Sequence, residues 1–356
     1  MKKTLLSALV IGLLVPTLTS NASSDKTPLL LKNIDGENVQ VERIGKTRVF
    51  SELELANIVD YASREIKEEK DQDVTSKKTA DETYNFVSGG DDYIYVYEEA
   101  PNADPVLLIA DYSPVTVSTE NDEDELPISP LAVGTNFLAD GIGGKQNITL
   151  KNANYMSTLL KLPSSADAGS WNYGGFDYTT STAHYSGEMG LQYYSNLGSL
   201  GTAKGWKPFL VFVKTAGGVR TAYNSSLDGN YNEVQYKNGY IQGGTVNYYT
   251  YYNYNGYVRM KLTGTALCAD LNCNTQNQTS LTTIMQTNQT VSLPAIDTYK
   301  LITSIITNQT TGNNKGVFSS IKVGESSVSS SYFATPMLDH ATITRDSSNT
   351  VTIEID

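Results

Sequence analysis

The chain has 356 residues, 39% of them hydrophobic, a formal net charge of -12, two cysteines and two histidines. With 38 acidic against 26 basic residues, the balance argues against nucleic acid or an anionic membrane as partner, since both select for clustered Lys and Arg. His184, His340, Cys268 and Cys273 are too few for a zinc centre, so no metal and no other cofactor is expected.

In chain order, Met1, Lys2 and Lys3 precede an apolar stretch from Leu5 to Val15, and small residues follow at Ser20, Asn21, Ala22 and Ser23. That order of basic, apolar and small segments is the pattern a signal peptidase reads, so residues 1–23 are expected to be a signal peptide and the rest a secreted, extracellular protein. The stretch is shorter than the roughly 20 apolar residues a bilayer span needs, and no later segment supplies them, so no membrane span is expected.

Residues 24–128 carry 25 acidic and 10 basic side chains, whereas residues 129–356 carry 13 and 14, so the net acidity lies wholly in the N-terminal third. Together with the length, this predicts two units. In the first, Ser51 with Glu54 forms a capping box, and Leu53, Ile58, Ala62 and Ile66 supply an apolar stripe, which predicts a helix over residues 52–69. Residues 93–97 and 106–110 flank a turn containing Pro101, Asn102, Asp104 and Pro105 and predict a β-hairpin. A small acidic α+β unit is thus expected over residues 24–117. Residues 118–131, acidic and flanked by Pro127 and Pro130, predict an exposed linker.

From residue 132 to 356 the composition turns to Tyr, Asn, Thr, Ser and Gly in short alternating runs, the signature of an all-β sandwich. In residues 183–194, Ala183, Tyr185, Gly187, Met189, Leu191 and Tyr193 are expected to face a core, and His184, Ser186, Glu188, Gly190, Gln192 and Tyr194 to face away. Val258, Met260 and Leu262 are expected inward, with Tyr257, Arg259 and Lys261 outward. Residues 209–213 are apolar on both parities and should be covered on both faces. Residues 341–345 and 350–354 predict a closing hairpin. The domain exceeds an immunoglobulin-sized sandwich of about 100 residues, so the predicted fold is mainly β, a jelly-roll β-sandwich preceded by the acidic α+β unit. Cys268 and Cys273 have the spacing of one small-loop disulfide.

The run from Gly174 to Tyr193, together with Gly205-Trp-Lys-Pro-Phe-Leu-Val211 and Asn255-Gly-Tyr-Val-Arg-Met-Lys261, resembles the concanavalin A-like lectin and glucanase sandwich, and more narrowly the uncharacterised secreted YrpD-like proteins of bacilli. The resemblance covers residues 132–356. It implies a curved sheet whose concave face often holds a glycan, and it brings no catalytic residues.

Sugars are held by aromatic rings under their C–H faces and by amide, hydroxyl and carboxylate groups bonding their hydroxyls. Tyr248, Tyr249, Tyr251 and Tyr252, followed by Asn253, place rings on both faces of one strand, so one pair is a candidate sugar platform; the plainer reading is cross-strand aromatic packing. His184, Glu188 and Gln192 share one strand face and are candidate ligand contacts. His184 and Glu188, about 13 Å apart along the strand, are too distant to bond each other. An acid and a base so placed could serve a lyase or hydrolase, but Glu188 has no acidic neighbour two or four residues away, which weakens that reading. The expected function is a secreted, lectin-like protein that binds extracellular polysaccharide or glycan without turnover. The alternatives are a polysaccharide lyase or glycoside hydrolase on the same face, and a structural matrix or envelope protein.

Overall fold

The structure, a computed structural model of the chain, describes residues 31–44, 48–72, 82–90, 92–111, 138, 140–197, 203–223, 238–268, 277–346 and 349–356; the expected signal peptide at 1–23, the linker at 118–131 and Cys273 lie outside them, and with Cys273 the expected disulfide. The acidic N-terminal residues form β1 (Leu31–Lys32), β2 (Asn38–Ile44), helix α1 (Glu52–Gln72), β3 (Glu82–Gly89), β4 (Tyr93–Glu99) and β5 (Val106–Asp111). The capping box starts α1: the Glu54 N–H donates to the Ser51 hydroxyl at 3.2 Å, and the Ser51 N–H donates back to the Glu54 carboxylate at 2.8 Å. The helix buries Leu55, Ile58, Val59, Ala62 and Ile66, whereas Leu53 is 71% exposed. This corrects the expected stripe at its first member, because at 3.6 residues per turn Leu53 lies on the side of the helix away from Ile58, Ala62 and Ile66. Strands β4 and β5 pair antiparallel, Tyr97 opposite Leu107, as the turn residues predict.

The remaining strands are β6 (Gly141–Ile148), β7 (Tyr155–Lys161), β8 (Ser170–Thr179), β9 (Ala183–Leu197), β10 (Ala203–Ala216), β11 (Val219–Ala222), β12 (Thr245–Tyr254), β13 (Tyr257–Ala266), β14 (Thr279–Gln286), β15 (Thr298–Ile306), β16 (Asn314–Val323), β17 (Ser326–Ser327), β18 (Met337–Asp339), β19 (Thr342–Arg345) and β20 (Val351–Ile355). They form two facing sheets. The smaller runs β11-β10-β9-β8-β15-β6-β18; the larger runs β1-β2-β5-β4-β3-β14-β13-β12-β7-β16-β20-β19, with β17 beside β16. The chain is mainly β and sandwich-like. Met189, Leu191 and Tyr193 from one sheet share a core with Val258, Met260 and Leu262 from the other, as period-2 alternation predicts. In β10, Leu210 and Phe212 enter that core and Phe209 is buried on the opposite face. Strands β19 and β20 close the chain as an antiparallel hairpin. Among the described residues no helix is long and apolar enough to cross a membrane.

The two expected units share a sheet. Strand β3 pairs parallel with β14, from Glu82 opposite Ser280 to Val87 opposite Met285. Strands β3 to β5 are therefore covered on both faces: Val87, Ile94, Val96 and Leu108 enter the sandwich core, while Phe86, Tyr95, Tyr97, Leu107 and Ile109 pack under α1. Helix α1 also covers the outer face of β13. Arg259 points outward as alternation requires, yet it is only 4% exposed, because it pairs with Glu65 of α1, and Lys261 pairs with Glu69 at 2.6 Å.

Candidate functional site

In β8, Asn172, Gly174 and Phe176 point into the sandwich, so Trp171, Tyr173, Gly175 and Asp177 point to the outer face of the smaller sheet. Cross-strand register assembles that face in rows. Ser304, Trp171, Gln192 and Lys207 form one row; Lys145, Ile302, Tyr173, Gly190 and Phe209 the next; Lys300, Gly175, Glu188 and Val211 a third. Asp177 and Ser186 lie opposite each other in a fourth. The glycines keep the floor low. A Cβ on Gly175 would stand 1.9 Å from the Gly187 carbonyl oxygen, and one on Gly190 would stand 2.5 Å from the Tyr173 Cα.

The result is a trough of about 380 Å³ lined by Trp171, Tyr173, Phe209 and Val211, by Ile302, Ile305 and Ile306, and by the charged groups Asp140, Lys145, Glu188 and Arg220. The Trp171 ring meets Phe209 edge-on at 4.6 Å between centroids, and Tyr173 meets the same ring at 5.7 Å.

Beside this apolar floor lies a charge network centred on Lys300, whose side chain is 2% exposed. Lys300 stands opposite Gly175, and its ammonium donates to Asp177 Oδ1 at 2.9 Å, Ser186 Oγ at 2.9 Å and Glu188 Oε1 at 3.1 Å, which uses all three donors. Lys145 donates to Asp177 Oδ2 at 3.1 Å. Burial works against the Lys300 charge, but Glu188 and Asp177 outweigh it and raise its pKa above the ordinary lysine value. Burial likewise opposes the Asp177 carboxylate, and Lys300 with Lys145 overcomes it, leaving the pKa below the usual value. The Tyr173 phenol is pushed well up, first by burial and then by the Glu188 charge, so it remains a neutral hydroxyl. Chemically the trough offers ring faces, one neutral phenol and fixed charges, and Glu188 reaches solvent with 42% of its side chain exposed. Among the described residues no group of three His, Cys, Asp or Glu side chains is placed to hold a metal ion.

The residues expected to bind ligand separate. Glu188 lines the trough. Gln192 is on the same face but its carbonyl oxygen accepts from the Tyr194 hydroxyl at 2.9 Å, and the exposed His184 bonds Thr179 through Nδ1 at 3.2 Å, two rows from Glu188. The tyrosine run belongs to the other sheet. Tyr248 is 1% exposed and bridges the two sheets, donating to the Met189 carbonyl at 2.5 Å and accepting from the Gly174 N–H at 3.0 Å, so it is a core residue with no face for a sugar. Tyr252 packs against Phe176 and Tyr299 in the sandwich interior. Tyr249 and Tyr251 do face outward, stacked on each other at 6.3 Å and against Tyr155, but Lys261 lies over the Tyr249 ring and is itself held by Glu69 of α1. Asn253 shapes the turn after β12, accepting from the Gly256 N–H and donating to the Leu293 carbonyl. Asn255 and Gly256, both at positive φ, make the hairpin turn itself.

Sequence reasoning missed Trp171, Tyr173, Asp177, Lys145, Phe209, Arg220 and Lys300. The absence of an acidic neighbour along β9 is corrected across strands, since Asp177 on β8 shares Lys300 with Glu188. One signal was available: Lys300 is the lone charge in the apolar stretch of β15, and a buried cation requires an anionic partner.

The family profile described as "Domain of unknown function, YrpD" matches residues 135–355. None of the curated proteins compared with the chain matches it. Among solved structures, the chain is similar to scytalido-glutamic peptidase with a transition-state analogue inhibitor (TM-score 0.33, 10% identity, 61% of this chain and 99% of that one) and to the same peptidase with a peptide-based analogue (0.32, 11%, 61% and 99%). It is also similar to SCP-B, a member of the Eqolisin family of peptidases, in complex with the tripeptide Ala-Ile-His (0.29, 11%, 61% and 98%). Likeness at this level carries no functional argument.

Proposed function

Since the chain belongs to the YrpD family, whose defining domain is of unknown function, we propose that it is a secreted protein that binds extracellular glycan in the trough and does not turn it over. On this reading the two sheets are a concanavalin A-like jelly roll and the trough face is its concave, sugar-facing side. The observation that carries the proposal is the pairing of an aromatic floor, Trp171 with Phe209, with a fixed carboxylate at Glu188 that reaches solvent. Ring faces suit sugar C–H groups, carboxylates accept from sugar hydroxyls, and about 380 Å³ falls within the size of small-ligand pockets. A general acid at a glycosidic oxygen needs a raised pKa, and Asp177 is displaced the other way by its two lysines, which argues against Asp177 in that role.

Tryptophan fluorescence tests this directly, because the chain has two tryptophans and Trp206 is fully buried in the core. Titration with a panel of oligosaccharides should change the Trp171 emission saturably, and Trp171→Phe should remove the change. Glu188→Gln, which keeps an oxygen acceptor for the Lys300 ammonium, should weaken binding in a protein that circular dichroism shows to be folded. Release of product from any polysaccharide, abolished by Glu188→Gln, would replace the binding reading with the enzymatic one.

A further inference from the structure

Most charges around the trough neutralise one another: Lys145 and Lys300 are bonded to Asp177, and Lys300 also to Glu188. Arg220 stands outside that network. It lies on the edge strand β11 opposite Thr215, which is in turn opposite His184, so it shares the trough face and lines the wall. Its side chain is exposed, and among the described residues it has no ion pair or hydrogen bond. The other uncommitted groups are acceptors: the exposed carboxylate of Asp140 and the solvent-facing part of Glu188.

These groups ask different things of a ligand. Sugar hydroxyls can donate to both carboxylates, whereas a guanidinium has five N–H donors, no acceptor capacity and a planar fork that matches a carboxylate. A ligand with a C–H face for Trp171, hydroxyls for Glu188 and Asp140, and a carboxylate of its own for Arg220 is a uronic acid residue. Resting on the glycan reading above, we propose that the trough selects uronate-containing glycan over neutral glycan, with Arg220 as the residue that reads the carboxylate.

The experiment titrates the full chain, followed by Trp171 fluorescence, with a uronate oligosaccharide, its carboxyl-reduced counterpart and an amino-sugar oligosaccharide. The uronate form should bind roughly ten- to a hundred-fold more tightly than the reduced form, the range of a charge-assisted hydrogen-bond pair. Salt should shrink that advantage, and Arg220→Gln should erase it, weakening the uronate form at least ten-fold more than the reduced form. Equal binding of acidic and reduced forms, tighter binding of the amino sugar, or a preference that survives Arg220→Gln overturns this inference and leaves glycan binding standing. If no oligosaccharide binds the folded wild type, the glycan reading fails and this inference with it.

Discussion

The outer faces of the two sheets carry similar side chains and treat them differently. On the larger sheet, Tyr249, Tyr251, Arg259 and Lys261 face α1, and the two cations pair with Glu65 and Glu69 of that helix. On the smaller sheet no helix lies over Trp171, Tyr173, Lys145 and Lys300 among the described residues, and the cations pair sideways with Asp177 and Glu188 of the same sheet. Aromatic and charged content alone therefore does not mark a binding face. What distinguishes the two is whether the charges are satisfied by a covering layer or within the sheet, because only the second leaves a surface for a ligand.

The largest test of this contrast is Lys300→Met. Removing the cation leaves Asp177 with Lys145 alone and Glu188 with no cation, and one-sided loss of a buried ion pair costs about 3–5 kcal/mol. Urea unfolding should show that loss, and the double change Lys300→Met with Asp177→Asn should recover part of it. A cost below about 1 kcal/mol would mean that the network is not holding the sheet face.

On the other sheet, a double-mutant cycle on Glu65 and Arg259 should give a coupling of about 1.5–3 kcal/mol, the range for hydrogen bonds to charged groups. The pair is well covered, with side-chain exposures of 12% and 5%. Zero coupling would show that α1 lies on the sheet without being held there by its acids.

Acid should weaken the smaller sheet's network by a lesser amount than deleting Lys300. The folded-state pKa of Asp177 is below its unfolded value, so its contribution is complete above the ordinary carboxylate pKa of about 3.9 and is lost as pH falls through the folded value. Unfolding curves between pH 6 and pH 3 should lose stability more steeply for wild type than for Asp177→Asn. Parallel curves would remove Asp177 from the account.

The smallest effect is expected at Tyr249, a half-buried outward ring. Tyr249→Ala should cost about 0.5–1.5 kcal/mol, the range for aromatic pairs, because its ring packs on Tyr251 and Tyr155, and it should leave oligosaccharide binding unchanged. A loss of binding there would return the platform to the tyrosine run.

Much of the fold is legible in the sequence because it is written locally. The capping box at Ser51 and Glu54 starts a helix, and alternation in β9 and β13 assigns the inward side chains correctly. The site is written across strands. Glu188 has no acidic neighbour along β9, and its partner on Lys300, Asp177, becomes adjacent only once β8, β9 and β15 are in register. Arg259 shows the same limit: its parity is right and its environment is not deducible, because the cover comes from a helix some 190 residues earlier. The tyrosine run misled for a related reason, since Tyr248 is long enough to cross the sandwich and bond the opposite sheet.

The parallel pairing of β3 with β14 also fixes an order of events during synthesis. The hairpin of β3 and β4 can close early, but the other edge of β3 has its partner about 200 residues further along the chain. Until that length has emerged, β3 presents a row of unpaired N–H and C=O groups, the kind of template on which neighbouring chains associate. Contacts of such long sequence separation also form slowly, since a large loop must close first. A nascent chain of this protein therefore passes through a stage with one sheet edge open, and capture of β3 by β14 ends it.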